Sequence, residues 1–188
     1  DICPMPNGNV LMIAWEVKSS SACVAAGLDH TASIWPDHII EVQPTGSSGG
    51  NIVWKWHAWD HLIQDHDATK ANYGVVGDHP ELLDINAGNV TSGDWMHLNS
   101  VNYNPELDQI VFSSHNLNEV YVIDHSTTTA EAASHSGGNS GKGGDFLYRW
   151  GNPANYRAPG SAYFNVVHCG SWIPAGLPGA GHIMAFNN

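Results

Sequence analysis

One sequence feature limits the fold more than any other: a unit of short apolar runs that occurs twice and then begins a third time. Each copy opens on a turn rich in Pro, Asn or Gly, and the runs that follow carry β-branched and aromatic residues. The runs are 10–13, 39–42 and 52–56 in the first copy, 110–112, 120–123 and 146–150 in the second, and 183–186 in the third. The alignment sets Trp54-Lys55-Trp56 against Tyr148-Arg149-Trp150, so residue types match as well as spacing. A strand unit repeated at intervals of tens of residues is typical of a β-propeller, whose blades each hold about four strands.

The remaining pattern also favours strands over helices. The predicted strands are 9–16, 39–43, 51–56, 100–103, 109–113, 119–124, 146–150 and 182–186, and the predicted helices are 59–64 and 128–133. We therefore expect an all-β protein, a β-propeller of which residues 1–188 form a single partial domain, truncated at both ends. The repeat accounts for about two and a half to three blades. A β-sandwich is the alternative fold.

Charge and composition narrow the range of partners. The 188 residues include 6 Lys and Arg against 18 Asp and Glu, which gives a formal charge of −12 with His neutral. Nucleic acid and anionic membrane surfaces need a basic face, so neither is an expected partner. No apolar run reaches the roughly 18 residues of a membrane span. Three cysteines, Cys3, Cys23 and Cys169, allow at most one disulfide and do not indicate a compartment.

A partial propeller has a further consequence for association. Sheet edges without a partner strand are templates for pairing with another chain. We therefore expect the isolated chain to self-associate, as a homo-oligomer or as an aggregate.

Histidine is the strongest candidate for chemistry in this chain, which contains 12 of them. His97 stands before the predicted strand 100–103, and His168 stands the same short way before 172–174. Equivalent positions in successive propeller blades converge on the central axis, where ligands bind. The repeat therefore predicts that these two histidines lie close together.

Several stretches carry a resemblance to a known family. The motif Asp94-Trp95-Met96-His97-Leu98-Asn99-Ser100 is followed by Asp108-Gln109-Ile110-Val111-Phe112-Ser113-Ser114, and further matches lie in 1–11, 119–125, 147–153 and 168–173. They resemble the bacterial arylsulfotransferases, the aryl-sulfate sulfotransferase family of six-bladed periplasmic propellers. The spacing between an Asp-Trp-x-His-x-Asn-Ser motif and an Asp-x-Ile-x-x-Ser-Ser motif is the most specific part of the resemblance.

The resemblance implies a reaction and places three residues in it. A sulfuryl group passes from a phenolic sulfate ester to a phenol acceptor by a ping-pong mechanism through a sulfated histidine, without the nucleotide donor PAPS or any other cofactor. The resemblance also implies a periplasmic or secreted location. His168 matches the nucleophile of the family, and His97 matches a histidine that holds the sulfuryl group. After Ser114 the family carries an Arg that clamps the sulfuryl oxygens, and here His115 takes its place. An imidazole has one donor where guanidinium has a charged fork, so we expect weaker or pH-dependent stabilisation of the transition state.

Other residues are predicted to touch the substrate. Arg149 or Arg157 is a candidate to replace the charge of the family's arginine. Trp95 and Trp172 lie within the two His motifs, where their rings are predicted to stack on an aryl group.

Other features of the sequence allow alternative interpretations of its function. The spacing of His57, His61 and His66 does not match a closed zinc site, so we expect these residues to hydrogen-bond a loop and predict no metal. The glycine-rich segment 137–144 does not match a phosphate loop, because Gly follows Lys142. A non-catalytic propeller that binds a ligand or partner through loops on one face is a second hypothesis. A hydrolase that releases sulfate to water is a third.

Overall fold

A computed structural model describes residues 1–88, 91 and 93–188, and strands are its main element. The strands are β1 (Ile2–Pro4), β2 (Val10–Trp15), β3 (Ile34–Trp35), β4 (Asp37–Thr45), β5 (Gly49–His57), β6 (Leu62–Ile63), β7 (Leu83–Asp84), β8 (Gly93–Asp94), β9 (Leu98–Asn104), β10 (Gln109–Ser114), β11 (Glu119–Asp124), β12 (Tyr148–Trp150), β13 (Val167–Trp172) and β14 (Ile183–Asn187). The helices of the described residues are α1 (Ser20–Ala26) and α2 (Thr129–Ala132), with 3₁₀ turns at Ala58–His61, Val76–Asp78 and Pro153–Tyr156. Neither helix combines the length and hydropathy that a membrane crossing requires.

Two four-stranded antiparallel sheets with the same topology contain most of the strands. The first sheet has the order β1-β2-β4-β5 and the second has the order β9-β10-β11-β12. The antiparallel pair β13-β14 begins a third unit in the same way. Small parallel ladders, β3 with β8 and β6 with β7, lie in the connections. The prediction of an all-β fold is confirmed, and no sheet of the described residues closes into a barrel.

The first strands of the three units lie side by side. The Val101 N–H of β9 donates to Asp1 Oδ2, just before β1, at 3.3 Å. On the other side of β9, Asn99 Nδ2 donates to the Val167 carbonyl of β13 at 2.7 Å. Repeated sheets whose first strands are neighbours form an arrangement consistent with part of a β-propeller.

The larger hydrophobic cluster lies between the first and second sheets. Trp56 is fully buried, and its ring centroid lies 5.3 Å from that of Phe112 and 6.3 Å from that of Phe146. Its indole N–H donates to the Gly144 carbonyl at 2.8 Å, so the ring buries no unpaired donor. Truncating a buried Trp to Ala generally costs roughly 3–5 kcal/mol. Trp56 is therefore a main contributor to the contact between the two sheets.

Strand register supports the internal repeat. Trp56 pairs with Ile39 in the first sheet, and Trp150 pairs with Val120 at the equivalent place in the second. Trp56 is buried by the second sheet, whereas Trp150 is 41% exposed, because in the described chain only the β13-β14 pair and the Phe164 segment cover that face. The tryptophan at this position of the repeat is thus fully packed between sheets in the first copy and only partly in the second.

The helices and short strands depart most from the sequence expectation. The predicted helix at 59–64 is wrong, since a single 3₁₀ turn, Ala58–His61, leads directly into β6. Helix α1 was not predicted, because its small side chains carry no clear amphipathic period. Its ends follow the usual rules, with Ser19 as N-cap and Gly27 in the left-handed region at φ +103° as C-cap.

The three cysteines are free thiols. Cys3 and Cys23 are buried and Cys169 is exposed. Burial raises the pKa of the Cys23 thiol. Because the thiolate is the reactive form, Cys23 is expected to be inert.

A buried ion pair attaches β12 to the second sheet. Arg149 Nη2 lies 2.5 Å from Glu119 Oε2, and the two side chains are 4% and 0% exposed. The guanidinium also donates to the Leu82 carbonyl at 2.9 Å and lies over the ring of Tyr156 at 4.4 Å from its centroid. A buried pair contributes little beyond a well-packed apolar pair, but removing one partner leaves an uncompensated charge.

We expect Arg149→Met to lower the free energy of unfolding by about 3–5 kcal/mol, because Glu119 would remain buried without its cation. Urea denaturation of the purified protein measures the change. Lys55→Met is the matched control, because Lys55 occupies the equivalent position of β5 and is exposed, so its replacement should cost less than about 0.5 kcal/mol. Equal effects of the two substitutions would contradict the buried ion pair.

Candidate active site

Three histidines meet where the second sheet borders the β13-β14 pair. His97 immediately precedes β9, His115 immediately follows β10, and His168 is the second residue of β13. The ring centroid of His115 lies 4.9 Å from that of His97 and 5.6 Å from that of His168. All three side chains are partly accessible to solvent. The structure therefore brings together the three residues that the sequence suggested as catalytic.

Each of these imidazoles is held through Nδ1 by an acceptor. The acceptors are the Asp94 carboxylate for His97, Asn116 Oδ1 at 2.7 Å for His115, and the Val166 carbonyl at 3.1 Å for His168. Since these oxygens only accept, Nδ1 carries the proton and the neutral ring keeps its lone pair on Nε2. In the described part of the chain no hydrogen bond occupies Nε2 of any of the three rings. The site thus presents three nitrogens that can attack an electrophile or, when protonated, donate.

A polar network joins the three strands that carry the histidines. Ser113 Oγ on β10 donates to Asn99 Oδ1 on β9 at 2.5 Å, and Asn99 Nδ2 reaches the Val167 carbonyl on β13. Ser100 Oγ lies 2.5 Å from Ser113 Oγ and 3.3 Å from the Gly170 carbonyl. A Cβ at position 170 would lie 3.3 Å from Ser113 Cβ, so a glycine suits this close approach of β13 to β10. The network sets the spacing between the histidines.

The backbone beside two of the histidines is strained. The φ angle is +50° at His97, +62° at Val166 and +55° at Cys169. Such conformations cost on the order of 1–3 kcal/mol each, and a β-branched residue at positive φ is a clear outlier. They persist only where surrounding contacts enforce them, as the polar network does here.

A buried carboxyl group from the first sheet lies near His97. Asp37 is fully buried, and its Oδ2 accepts the Leu98 N–H at 3.3 Å. Burial raises the pKa of Asp37 to about 7, with a further rise from the Asp94 carboxylate, while the Leu98 N–H and a positive charge on His97 act in the opposite direction. Oδ1 of Asp37 and Oδ1 of Asp94 are buried without a hydrogen-bond partner among the described residues. The charge state of Asp37 is therefore coupled to that of the site.

Arg149 and Arg157, the two candidates to replace the arginine of the family, both lie apart from the three histidines. Arg149 lies on β12, three strand spacings or about 14 Å from β9, and is bound to Glu119. Arg157 pairs with Asp65 at 3.0 Å and Asp84 at 2.9 Å. Neither arginine therefore places its guanidinium beside the three histidines.

The two tryptophans predicted to stack on substrate also lie apart from the histidines. Trp95 is 1% exposed, and its indole N–H donates to the Ala87 carbonyl at 3.1 Å, so the structure gives it a core position in place of the expected substrate contact. Trp172 is half-buried four residues beyond His168, after the bulge that interrupts β13. It lines an apolar groove between the second sheet and β14.

The whole chain, including the three histidines, matches one protein family. The family model described as Arylsulfotransferase (ASST) matches residues 1–188. The chain belongs to the arylsulfotransferase family. No curated protein matches it. The family resemblance of the sequence motifs is confirmed, and all three histidines lie within the matched region.

Four residues that shape the candidate site were not predicted from sequence as site residues: Asp94, Asn99, Ser113 and Asp37. The first three lie inside the two family motifs, and the position of Asp94 three residues before His97 was a usable signal. Asp37 belongs to another sheet, and no sequence pattern connects it with His97. Only the packing of the two sheets reveals its position.

The buried acid predicts a pH-dependent stability for this member of the arylsulfotransferase family. In the unfolded chain an Asp ionises near its ordinary pKa of about 4, whereas the pKa of Asp37 in the folded protein is about 7. Between these values the folded state binds the additional proton, so the contribution of Asp37 to stability falls as the pH rises. We expect Asp37→Asn to remove this fall and to raise the free energy of unfolding at about pH 8 by roughly 2–4 kcal/mol.

Chemical denaturation at a series of pH values between about 4 and 8 measures the difference between wild type and variant. Asp60→Asn, at an exposed position, serves as the control and should leave the profile unchanged. A constant difference between wild type and Asp37→Asn across this range would contradict the buried, protonated carboxyl.

Proposed function

We propose that this protein is an aryl-sulfate sulfotransferase, which transfers a sulfuryl group from a phenolic sulfate ester to a phenol acceptor without PAPS. The main support is the convergence of His97, His115 and His168, each anchored through Nδ1, in a member of the arylsulfotransferase family. Group transfer through an enzyme nucleophile divides one difficult displacement into two easier ones. A neutral imidazole is a good nucleophile near neutral pH.

In the first half-reaction, Nε2 of His168 attacks the sulfur of the donor ester. The N–S bond forms as the bond between sulfur and the aryl oxygen breaks, and the phenolate leaves. The Val166 carbonyl holds the Nδ1 proton of His168, so the lone pair stays on the attacking nitrogen. His97 in its imidazolium form gives the Nε2 proton to the leaving phenolate, while the Asp94 carboxylate accepts from Nδ1 and orients the ring.

In the second half-reaction, the acceptor phenol occupies the place of the departed product. Its O–H proton passes to Nε2 of His97, its oxygen attacks the sulfur, and the N–S bond to His168 breaks. The enzyme returns to its starting protonation state, and the sulfuryl group has moved between two phenol oxygens. Since the histidine carries the group between the half-reactions, no nucleotide donor and no cofactor is required.

His115 supports this scheme in place of the family's arginine. Its backbone N–H donates to the His97 carbonyl at 3.0 Å, which keeps the two residues adjacent. Donors aimed at the oxygens that gain charge in a transition state contribute strongly to catalysis. We propose that His115 donates from Nε2 to the sulfuryl oxygens when it is protonated, which makes this contribution dependent on pH.

The remaining features of the proposal come from the family. A small aryl sulfate donor and a phenolic acceptor are the proposed partners, and a periplasmic or secreted location is proposed. The acidic composition of the chain is compatible with that location.

His168→Ala should lower phenol release from a chromogenic aryl sulfate by at least about a thousandfold, because the covalent step is lost. His66→Ala is the control, since His66 is exposed and its side chain makes no contact with the three histidines. The assay measures release with and without a second phenol as acceptor. Release should depend on both that phenol and His168.

Two other outcomes would contradict the proposal. Release that does not increase with added phenol would indicate a hydrolase. No release by folded wild-type protein would indicate a binding module with a degenerate site.

A further inference from the structure

A second histidine cluster lies between the first two sheets, away from the proposed sulfuryl site. His61 ends the 3₁₀ turn that follows β5, while His135 and Asp145 lie in the connection between β11 and β12. His61 Nδ1 is 2.7 Å and His135 Nδ1 is 2.8 Å from the same atom, Asp145 Oδ1. The three potential ligand atoms all lie within 4.8 Å of one another. Two imidazoles thus converge on one carboxylate oxygen.

The hydrogen bonds of His61 define which nitrogen is free. Its Nε2 lies 2.8 Å from the Ala132 carbonyl, which can only accept, so Nε2 carries a proton. In the neutral ring the lone pair is then on Nδ1 and points at the Asp145 carboxylate, an arrangement of two acceptors that repel each other. A proton or a metal cation between the two atoms removes this conflict. Because the His61 side chain is 0% exposed, a buried imidazolium would lose its hydration, whereas a metal ion would bind the neutral ring.

The same contacts match the surroundings of metal-binding histidines. A histidine that ligates a metal usually donates its other ring N–H to a carbonyl or carboxylate, which fixes its orientation. Ala132 supplies that carbonyl to His61. The ring of Trp56 stacks on His61 at 5.7 Å between centroids and 7° between planes, which limits rotation of the imidazole.

The glycine-rich connection is shaped around the His61 ring. A Cβ at Gly144 would lie 2.1 Å from the Ala132 carbonyl oxygen and 2.6 Å from His61 Nε2, so a side chain cannot fit at this position. Gly144 also accepts the indole N–H of Trp56. The glycine-rich segment 137–144 therefore covers the Nε2 side of the His61 ring, and the next residue, Asp145, lies at its Nδ1 side.

We propose that His61 Nδ1, His135 Nδ1 and Asp145 bind a divalent transition metal, with Zn²⁺ as the best-fitting ion, and that this ion joins the first sheet to the second. Two imidazole nitrogens and one carboxylate oxygen suit zinc, whereas calcium and magnesium prefer oxygen ligands alone. The His135 side chain is 62% exposed, so solvent can reach the ion and complete its coordination.

To admit the ion, the His135 ring must move so that its Nδ1, which lies within 4.8 Å of His61 Nδ1, takes the spacing of a neighbouring zinc ligand. Zinc binds these ligands at about 2.0–2.2 Å, which places neighbouring ligand atoms about 3.3 Å apart in a tetrahedral site. The two nitrogen-to-oxygen contacts would lengthen by about half an ångström. The exposed His135 ring can supply this movement while the buried His61 ring stays in place.

The purified chain is first treated with a chelator to remove bound metal. Calorimetry then measures zinc binding, and thermal unfolding is compared in the presence of Zn²⁺ and of EDTA. We expect one strong site per chain and a higher Tm with zinc. Because the ligands are far apart in sequence, zinc binding should require the folded protein. Co²⁺ should give the intense visible bands of a four-coordinate nitrogen and oxygen site.

His135→Ala and His79→Ala form a matched pair of variants. Both histidines are exposed and each is 2.8 Å from one carboxylate oxygen, but only His135 shares that oxygen with a second histidine. We expect His135→Ala to weaken zinc binding at least about tenfold and to remove the Tm shift, and His79→Ala to change neither.

A second substitution, Asp145→Asn, tests the carboxylate and should weaken binding in the same way. No strong site in wild type, or equal binding by wild type and His135→Ala, would overturn the proposal.

Discussion

The candidate site depends on the polar contacts that join β9, β10 and β13. Asn99 accepts from Ser113 and donates to the Val167 carbonyl, so one amide connects the consecutive strands β9 and β10 with β13, which lies much later in the chain. Each of these strands has a histidine at or next to its end on the same edge. Without this connection, the strained backbone beside His97 and His168 would relax and the rings would separate.

The two histidine clusters show how a neighbouring oxygen determines what an imidazole can do. In the candidate active site an acceptor holds Nδ1 of each ring, so Nε2 is the nitrogen available for reaction. At His61 the relation is reversed, because the Ala132 carbonyl holds Nε2 and Nδ1 faces Asp145. The same side chain thus has different roles in the two proposals, proton and sulfuryl transfer in the first cluster and metal binding in the second.

Charge is the second constraint on the site. The chain carries a formal charge of −12, and no arginine of the described residues reaches the three histidines. The Asp94 carboxylate accepts a hydrogen bond from Nδ1 of His97. Asp37 remains protonated over much of the acidic range, which limits the negative charge buried beside an anionic substrate. The free energy of unfolding therefore falls as the pH rises and Asp37 ionises.

Periodicity made most of the fold predictable. The repeat places β2, β4 and β5 against β10, β11 and β12, and its strands were found because alternating apolar residues mark them locally. The repeat also predicted that His97 and His168 lie close together, because they occupy equivalent places in successive copies. His115 was predicted as a site residue only from the family motif. The burial of Arg149 was not predictable, because its repeat partner Lys55 is exposed.

Contacts between distant segments account for the rest. Asp37 reaches the site from the first sheet, and its neighbours in sequence give no sign of that environment. His61, His135 and Asp145 come from two connections, so their convergence is visible only after the sheets have packed. Local patterns predict strands, whereas positions that depend on packing between sheets require the structure.

We propose that His168 carries the sulfuryl group between donor and acceptor. Mass spectrometry of protein mixed with an aryl sulfate in the absence of phenol tests it directly, with the sample kept at neutral or alkaline pH before digestion. We expect a mass increase of one SO₃ group on the peptide that contains His168, and we expect this group to be lost when a phenol is added. A protein that releases phenol from the donor but carries no such group, or carries it on another residue, would contradict the account.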